Sequence, residues 1–140
     1  MCIRDRVFAD VRNNSRVLVF KLGSNLQLPV SEAYQDNPVA PPAKTGTSAD
    51  IAAGKTLYLQ YCFSCHGAQA IGGGLIQDIR YGGVLPDAEL WNEVLLEGLL
   101  SDQGMANFGS ILTPKQAAEI RAYVIDESHT YAKAKEAAGE

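Results

Sequence analysis

The chain has 140 residues and a mass of 15.0 kDa, with 46% hydrophobic and 20% charged side chains, which suits one soluble domain with an appendage better than two full domains. No run approaches the roughly 18 uninterrupted apolar residues that a membrane-spanning helix needs. The net charge is −4, and residues 50–128 carry ten acidic against four basic side chains, a balance that disfavours nucleic acid and anionic lipid and suits a neutral or basic protein partner.

Met1 to Phe20 lacks the apolar stretch and small-residue cleavage site of a secretory signal, and residues 1–9 are set aside as an unrelated leader. The polar turn Asn13-Asn14-Ser15 precedes Arg16 to Leu22, a β-branched and aromatic run closed by Gly23. Residues 10–23 therefore read as one strand of a sheet whose partner strands the chain does not contain, because a lone strand cannot cover its edges. Residues 24–49 hold four of the six prolines, Pro29, Pro38, Pro41 and Pro42, and read as a semi-extended linker ending near Ser48.

Three helices follow within an expected domain of residues 50–130. Asp50 is expected to cap the first, which runs through Leu57, Tyr58 and Tyr61. Pro86-Asp87 opens the second, with Leu90, Trp91, Val94 and Leu95 on one face and Gly98 at its end. Thr113-Pro114-Lys115-Gln116 supplies an N-cap, a first-turn proline and a capping-box glutamine for the third, whose buried stripe is Ala117, Ile120, Tyr123 and Val124. Residues 131–140 either extend this helix or fray.

Cys62-Phe63-Ser64-Cys65-His66 places two thiols one helical turn apart with an imidazole on the next position. In that geometry both sulfurs can form thioethers with the vinyl groups of one haem while the histidine turns to the iron. A thioredoxin-like pair would want a βαβ surround. A structural zinc would need two further ligands, for which only the terminal Cys2 and His129 remain. A histidine-held haem iron takes either an open distal position or a sixth ligand. Met105, in the loop Gly104-Met105-Ala106-Asn107-Phe108, is the candidate; otherwise it fills a gap in the core. His129, among polar residues at the expected end of the third helix, is a weaker competitor. Arg80 is placed to pair with a haem propionate, the alternative being a solvated guanidinium. Gly54 is expected to let Tyr123 approach the first helix closely. About 80 residues with three short helices bury little apolar surface alone, so the domain is expected to be largely unfolded without the cofactor.

With Gly54, Tyr58, Cys62, Cys65, His66, Met105 and Tyr123 in this order, residues 50–128 resemble a class I cytochrome c domain, which implies an all-α fold of three main helices around one covalent haem c. The runs Gly72 to Arg80, Trp91 to Gly98 and Gly104 to Phe108 are similar to the C-terminal cytochrome domain of quinohaemoprotein alcohol dehydrogenases. Arg16 to Gly23 and the linker resemble the last propeller strand and connector of those enzymes. The resemblance implies His66 and Met105 as axial iron ligands. It also implies a parent enzyme holding pyrroloquinoline quinone and calcium in a propeller domain, and a soluble periplasmic acceptor, a cytochrome or a copper protein, to which electrons pass. It implies no catalytic site within this chain. The alternatives are an independent small cytochrome c, a cytochrome subunit of another oxidoreductase, and a zinc-binding interaction module. Two departures stand out. Gln77 occupies the place of a family proline near the carbonyl that orients the axial histidine, and Met1 to Arg6 resembles translated adapter sequence, which sets Cys2 aside.

Overall fold

The computed structural model describes residues 21–23, 25, 27, 40–72, 76 and 78–138. The strand expected over residues 10–23 lies almost wholly outside them. Its last described residues, Lys21 to Gly23, end in a turn with Leu22 exposed. Among the described residues every regular element is helical, as an all-α cytochrome c fold requires.

Helix α1 spans Ser48–Tyr61. It begins three residues earlier than an Asp50 cap would place it, because Thr47 is the cap and Asp50 is the third helical residue. The Asp50 amide donates to Thr47 Oγ1 at 3.2 Å, and the Thr47 amide donates to Asp50 Oδ2 at 2.7 Å. This reciprocal pair satisfies donors that the first helical turn cannot. The chain bends at Cys62 into a single turn, α2 (Phe63–His66), and then a 3₁₀ turn over Ala68–Ala70.

Helix α3 (Ala88–Asn92) opens where Pro86-Asp87 predicts, with the Asp87 carboxylate accepting from the Glu89 and Leu90 amides. It widens into a π turn over Glu93–Glu97 that ends at Gly98, whose left-handed φ of 79° accounts for the glycine. The wider turn frees the Leu95 carbonyl, which accepts the Phe108 amide at 2.9 Å. That bond pins the 104–109 loop to the end of the helix.

Helix α4 (Pro114–Ala138) opens on the expected box, with Gln116 donating to Thr113 Oγ1 and the Thr113 amide donating to Gln116 Oε1 at 2.9 Å. Of the two expectations for the tail, extension holds as far as Ala138. Ala117, Ile120, Tyr123 and Val124 are all buried, as their spacing predicts.

Helices α1 and α4 cross at Gly54. A Cβ there would fall on the Glu119 carbonyl and reach the Ile120 amide, so the backbones touch at a point where only glycine fits. One turn further on, Tyr123 comes close to the first helix, as expected of a glycine at the crossing, and packs on Tyr58 with ring centroids 5.2 Å apart. The core grows from this crossing and takes in Cys62, Leu85, Trp91, Leu95 and Leu112.

Helix α4 also holds the loops through polar atoms. Its Ala117 carbonyl accepts Trp91 Nε1 at 3.0 Å, Arg121 donates to the Leu85 and Pro86 carbonyls, and Ser128 Oγ donates to the Arg80 carbonyl at 3.0 Å. Before α1, Pro41 and Pro42 are half-buried, and Lys44 pairs with Asp126 of α4 at 2.6 Å. No helix among the described residues is long and apolar enough to cross a membrane.

Candidate haem site

Cys62 closes α1 by donating its amide to the Tyr58 carbonyl at 2.8 Å, and its own carbonyl receives the amides of Cys65 and His66 at 3.2 and 2.9 Å. One tight turn thus presents both sulfurs and the imidazole. Their surroundings differ: Cys62 is buried at 7% exposure, Cys65 is exposed, and His66 is half-buried. Burial, with the neighbouring Cys65, pushes the Cys62 thiol up to about 11. A neutral sulfur suits that place and a thiolate does not. A thioether, which carries no charge, therefore fits Cys62 better than a free reactive thiolate.

Burial also pushes the His66 imidazole below its usual value, which favours the neutral form that binds metals. Its Nδ1 is buried and has no hydrogen-bond partner among the described residues. A buried ring nitrogen in that condition fits an iron ligand whose orienting partner comes from nearby chain. Gln77, the residue in question for that partner, lies outside the described residues. Two thiols and an imidazole on one turn, the imidazole Nδ1 buried and without a partner among the described residues, are side chains suited to hold a c-type haem.

Met105 is half-buried against the same core that contains Cys62. Its loop is fixed at several points. The Met105 amide donates to the Leu100 carbonyl at 3.2 Å, Asn107 Oδ1 accepts the Gly109 amide at 2.8 Å, and a Cβ on Gly109 would run into the Leu96 carbonyl. Phe108 meets the edge of Tyr61, with centroids 6.1 Å apart. That contact packs the methionine loop on the last residue of α1, immediately before Cys62.

Arg80 is not the solvated guanidinium that was its alternative. It is 6% exposed, donates through Nε and Nη2 to the two Asp78 carboxylate oxygens at 3.0 and 2.6 Å, and lies 4.3 Å from the Tyr131 ring centroid. His129 is not at a helix end either. Because α4 continues to Ala138, His129 lies well inside it, and its Nε2 is 2.8 Å from the Pro42 carbonyl. That contact ties it to the chain before α1. Among the described residues no three His, Cys, Asp or Glu side chains gather as a metal cluster; Cys2, one of the two further ligands that a zinc would need, lies outside them.

Sequence reasoning missed Asp78 and Tyr131 as partners of Arg80, and it missed the Tyr58 hydroxyl, which donates to the Gly67 carbonyl at 2.8 Å. The Asp-Ile-Arg spacing was a usable signal for the first. Nothing local marks Tyr131, which lies on a helix far along the chain.

Residues 49–124 match the family model described as cytochrome C oxidase, cbb3-type, subunit III. The chain is 37% identical over 130 residues to the quinohemoprotein alcohol dehydrogenase ADH IIB of Pseudomonas putida, covering 85% of this chain and 17% of that one. It is 32% identical over 117 residues to the alcohol dehydrogenase (quinone) dehydrogenase subunit of Gluconobacter oxydans, covering 84% and 15%. Among solved structures, the quinohemoprotein alcohol dehydrogenase ADHIIG of Pseudomonas putida HK5 superposes with a TM-score of 0.64 at 33% identity, over 81% of this chain and 16% of that one. The chain thus spans about a sixth of the length of these relatives. The cysteine–histidine turn, the α1–α4 crossing over it and the match across residues 49–124 together establish that the chain belongs to the cytochrome c family, with the haem c and electron transfer which that implies.

Proposed function

We propose that the chain carries one haem c bound covalently through Cys62 and Cys65, with His66 and Met105 as the axial iron ligands, and that it relays electrons out of a quinohaemoprotein alcohol dehydrogenase. The observation that supports this reading is one turn that carries a buried Cys62, Cys65 and a His66 whose buried Nδ1 has no hydrogen-bond partner among the described residues, with Met105 packed against the same core as Cys62. Met/His ligation closes the iron to exogenous ligands and raises its potential, which suits electron passage over oxygen binding. The protein's own part is to hold the sulfurs, keep the imidazole neutral and exclude water with Tyr58, Leu95 and Met105. Arg80, fixed by Asp78 and Tyr131, is proposed to contact a haem propionate.

The donor in this reading is a propeller domain holding pyrroloquinoline quinone and calcium, as the resemblance implies, and the setting is the periplasm. The acceptor is a soluble cytochrome or copper protein; the acidic balance of residues 50–128 suits one that is not itself strongly acidic. In this reading the alcohol-oxidising chemistry belongs to the propeller domain.

The test is to express the chain behind a signal peptide with the cytochrome maturation machinery and titrate it potentiometrically. One haem, a single one-electron step and the weak far-red ferric band of methionine sulfur are expected. Ready carbon monoxide binding by the reduced wild-type protein would contradict closure of the iron by Met105. Failure of the reduced protein to give up electrons to either class of periplasmic acceptor would contradict the relay.

A further inference from the structure

The residue four places before Cys62 does more than pack the helix crossing. Tyr58 is fully buried, its ring lies against Tyr123, and its hydroxyl reaches past the cysteine turn to donate to the Gly67 carbonyl at 2.8 Å. That carbonyl belongs to the residue immediately after His66. On its other side the hydroxyl faces the Ala70 amide.

The segment it grips is under backbone strain. Gly67 has φ 72°, and Gln69 and Ala70 follow with φ 57° and 64°, a left-handed region that side-chain-bearing residues rarely enter. Consecutive residues persist there only when their surroundings hold them. Ala70 is fully buried, so its Cβ does not draw the turn outward. The Gly72 amide, donating to the His66 carbonyl at 2.8 Å, closes the loop around the histidine. The Tyr58 hydroxyl is thus the side-chain staple at the centre of a strained turn that begins at His66.

We propose that the Tyr58 hydroxyl is a positioning group for His66: by fixing the Gly67 carbonyl and the 67–70 turn, it sets the orientation in which the imidazole meets the haem iron. The inference rests on the haem reading above. It separates the hydroxyl from the ring, since a phenylalanine would serve the helix crossing equally well and would leave the turn unheld.

Tyr58→Phe removes only the oxygen, and Tyr123→Phe is the matched control. Tyr123 is buried in the same aromatic pair, but its hydroxyl faces Glu127 and not the loop. The haem-bearing full chain is measured in three forms, wild type, Y58F and Y123F, by ferric electron paramagnetic resonance, by amide hydrogen exchange at Gly72 and by thermal melting. Y58F is expected to change the ferric g-value spread and to speed Gly72 exchange about tenfold, the effect of losing one hydrogen bond from a local opening. Exchange at Ile120 and Val124 in α4 should change much less. Y123F should leave the g-values and Gly72 exchange at wild-type values.

If Y58F keeps the wild-type g-values and its exchange rises equally at Gly72 and in α4, the hydroxyl is merely stabilising and the proposal falls alone. A wild-type chain that carries no covalent haem overturns the haem reading and this inference with it.

Discussion

The α1–α4 crossing and the loops that flank the cysteine turn are held by different physics. The crossing is made of backbone contact at Gly54, the tilted ring pair Tyr58 and Tyr123, and fully buried Ile120, Val124 and Ile125. The loops at 67–72 and 98–109 hang on scattered hydrogen bonds and left-handed residues, and they leave His66 Nδ1 without a partner among the described residues. A frame of the first kind completes itself through burial. A frame of the second kind holds its shape through a few directional bonds and, in a haem-bearing chain, through the cofactor they surround. The contrast teaches where a change will damage the fold and where it will damage the site.

The largest break should come at the crossing. Gly54→Ala drives a Cβ into the Glu119 carbonyl and should cost about 3 kcal/mol, because neither backbone can give way easily. Denaturant unfolding of the haem-loaded protein measures it, and a loss below about 1 kcal/mol would mean that the helices slide apart freely. Next comes the loop side. Met105→Ala should lower stability by about 2 kcal/mol, the low end for truncating an apolar side chain, yet abolish the far-red ferric band and open the iron to carbon monoxide. An unchanged spectrum and ligand affinity would remove Met105 from the iron.

A third prediction uses the two buried phenols. Burial, aided by Glu127 at Tyr123, raises both hydroxyls well above the ordinary tyrosine value. The folded state therefore keeps protons that the unfolded chain releases. The contribution is fully present below about pH 10 and is lost as the pH climbs beyond it toward the raised folded values. Denaturation midpoints should fall steeply above pH 10, with these two phenols ionising only as the chain unfolds. Ionisation of all six tyrosines near pH 10 without loss of fold would contradict their burial.

The smallest effect belongs to the cap of α1. Thr47→Ala should cost about 1 kcal/mol. The Thr47 amide and hydroxyl hold the Asp50 carboxyl below its usual range, so the contribution of Asp50 is present above that range and fades as the pH falls through the lowered value. The cap variant should lose part of the wild-type acid dependence, as comparison of unfolding at pH 3 and pH 6 would show.

What could be read from the sequence follows from range. The cysteine–histidine turn, the Thr113–Gln116 box, the Asp87 cap and the left-handed stop at Gly98 are all written within a few residues, and each lies where its spacing placed it. The Thr47 cap was legible too, but Asp50 three residues on competed for the same role. Interactions across the fold were not legible. The solvated alternative for Arg80 stood because Ser128 and Tyr131, which pack around it, come from the far end of α4. His129 looked like a helix end because the tail could be read either as more helix or as frayed chain, and only the fold shows that α4 runs on to Ala138. The Tyr58 hydroxyl was invisible for another reason: its acceptor is a backbone carbonyl, which leaves no trace in residue identity.

The central claim is that the chain holds its haem by covalent bonds from Cys62 and Cys65. Acid–ketone extraction of the matured, denatured protein, followed by the spectrum of both phases and a count of free thiols at these two positions, tests it most directly. Haem that stays with the chain, with both thiols consumed, is the predicted result. Haem that moves wholly into the organic phase, leaving Cys62 and Cys65 free, would contradict it.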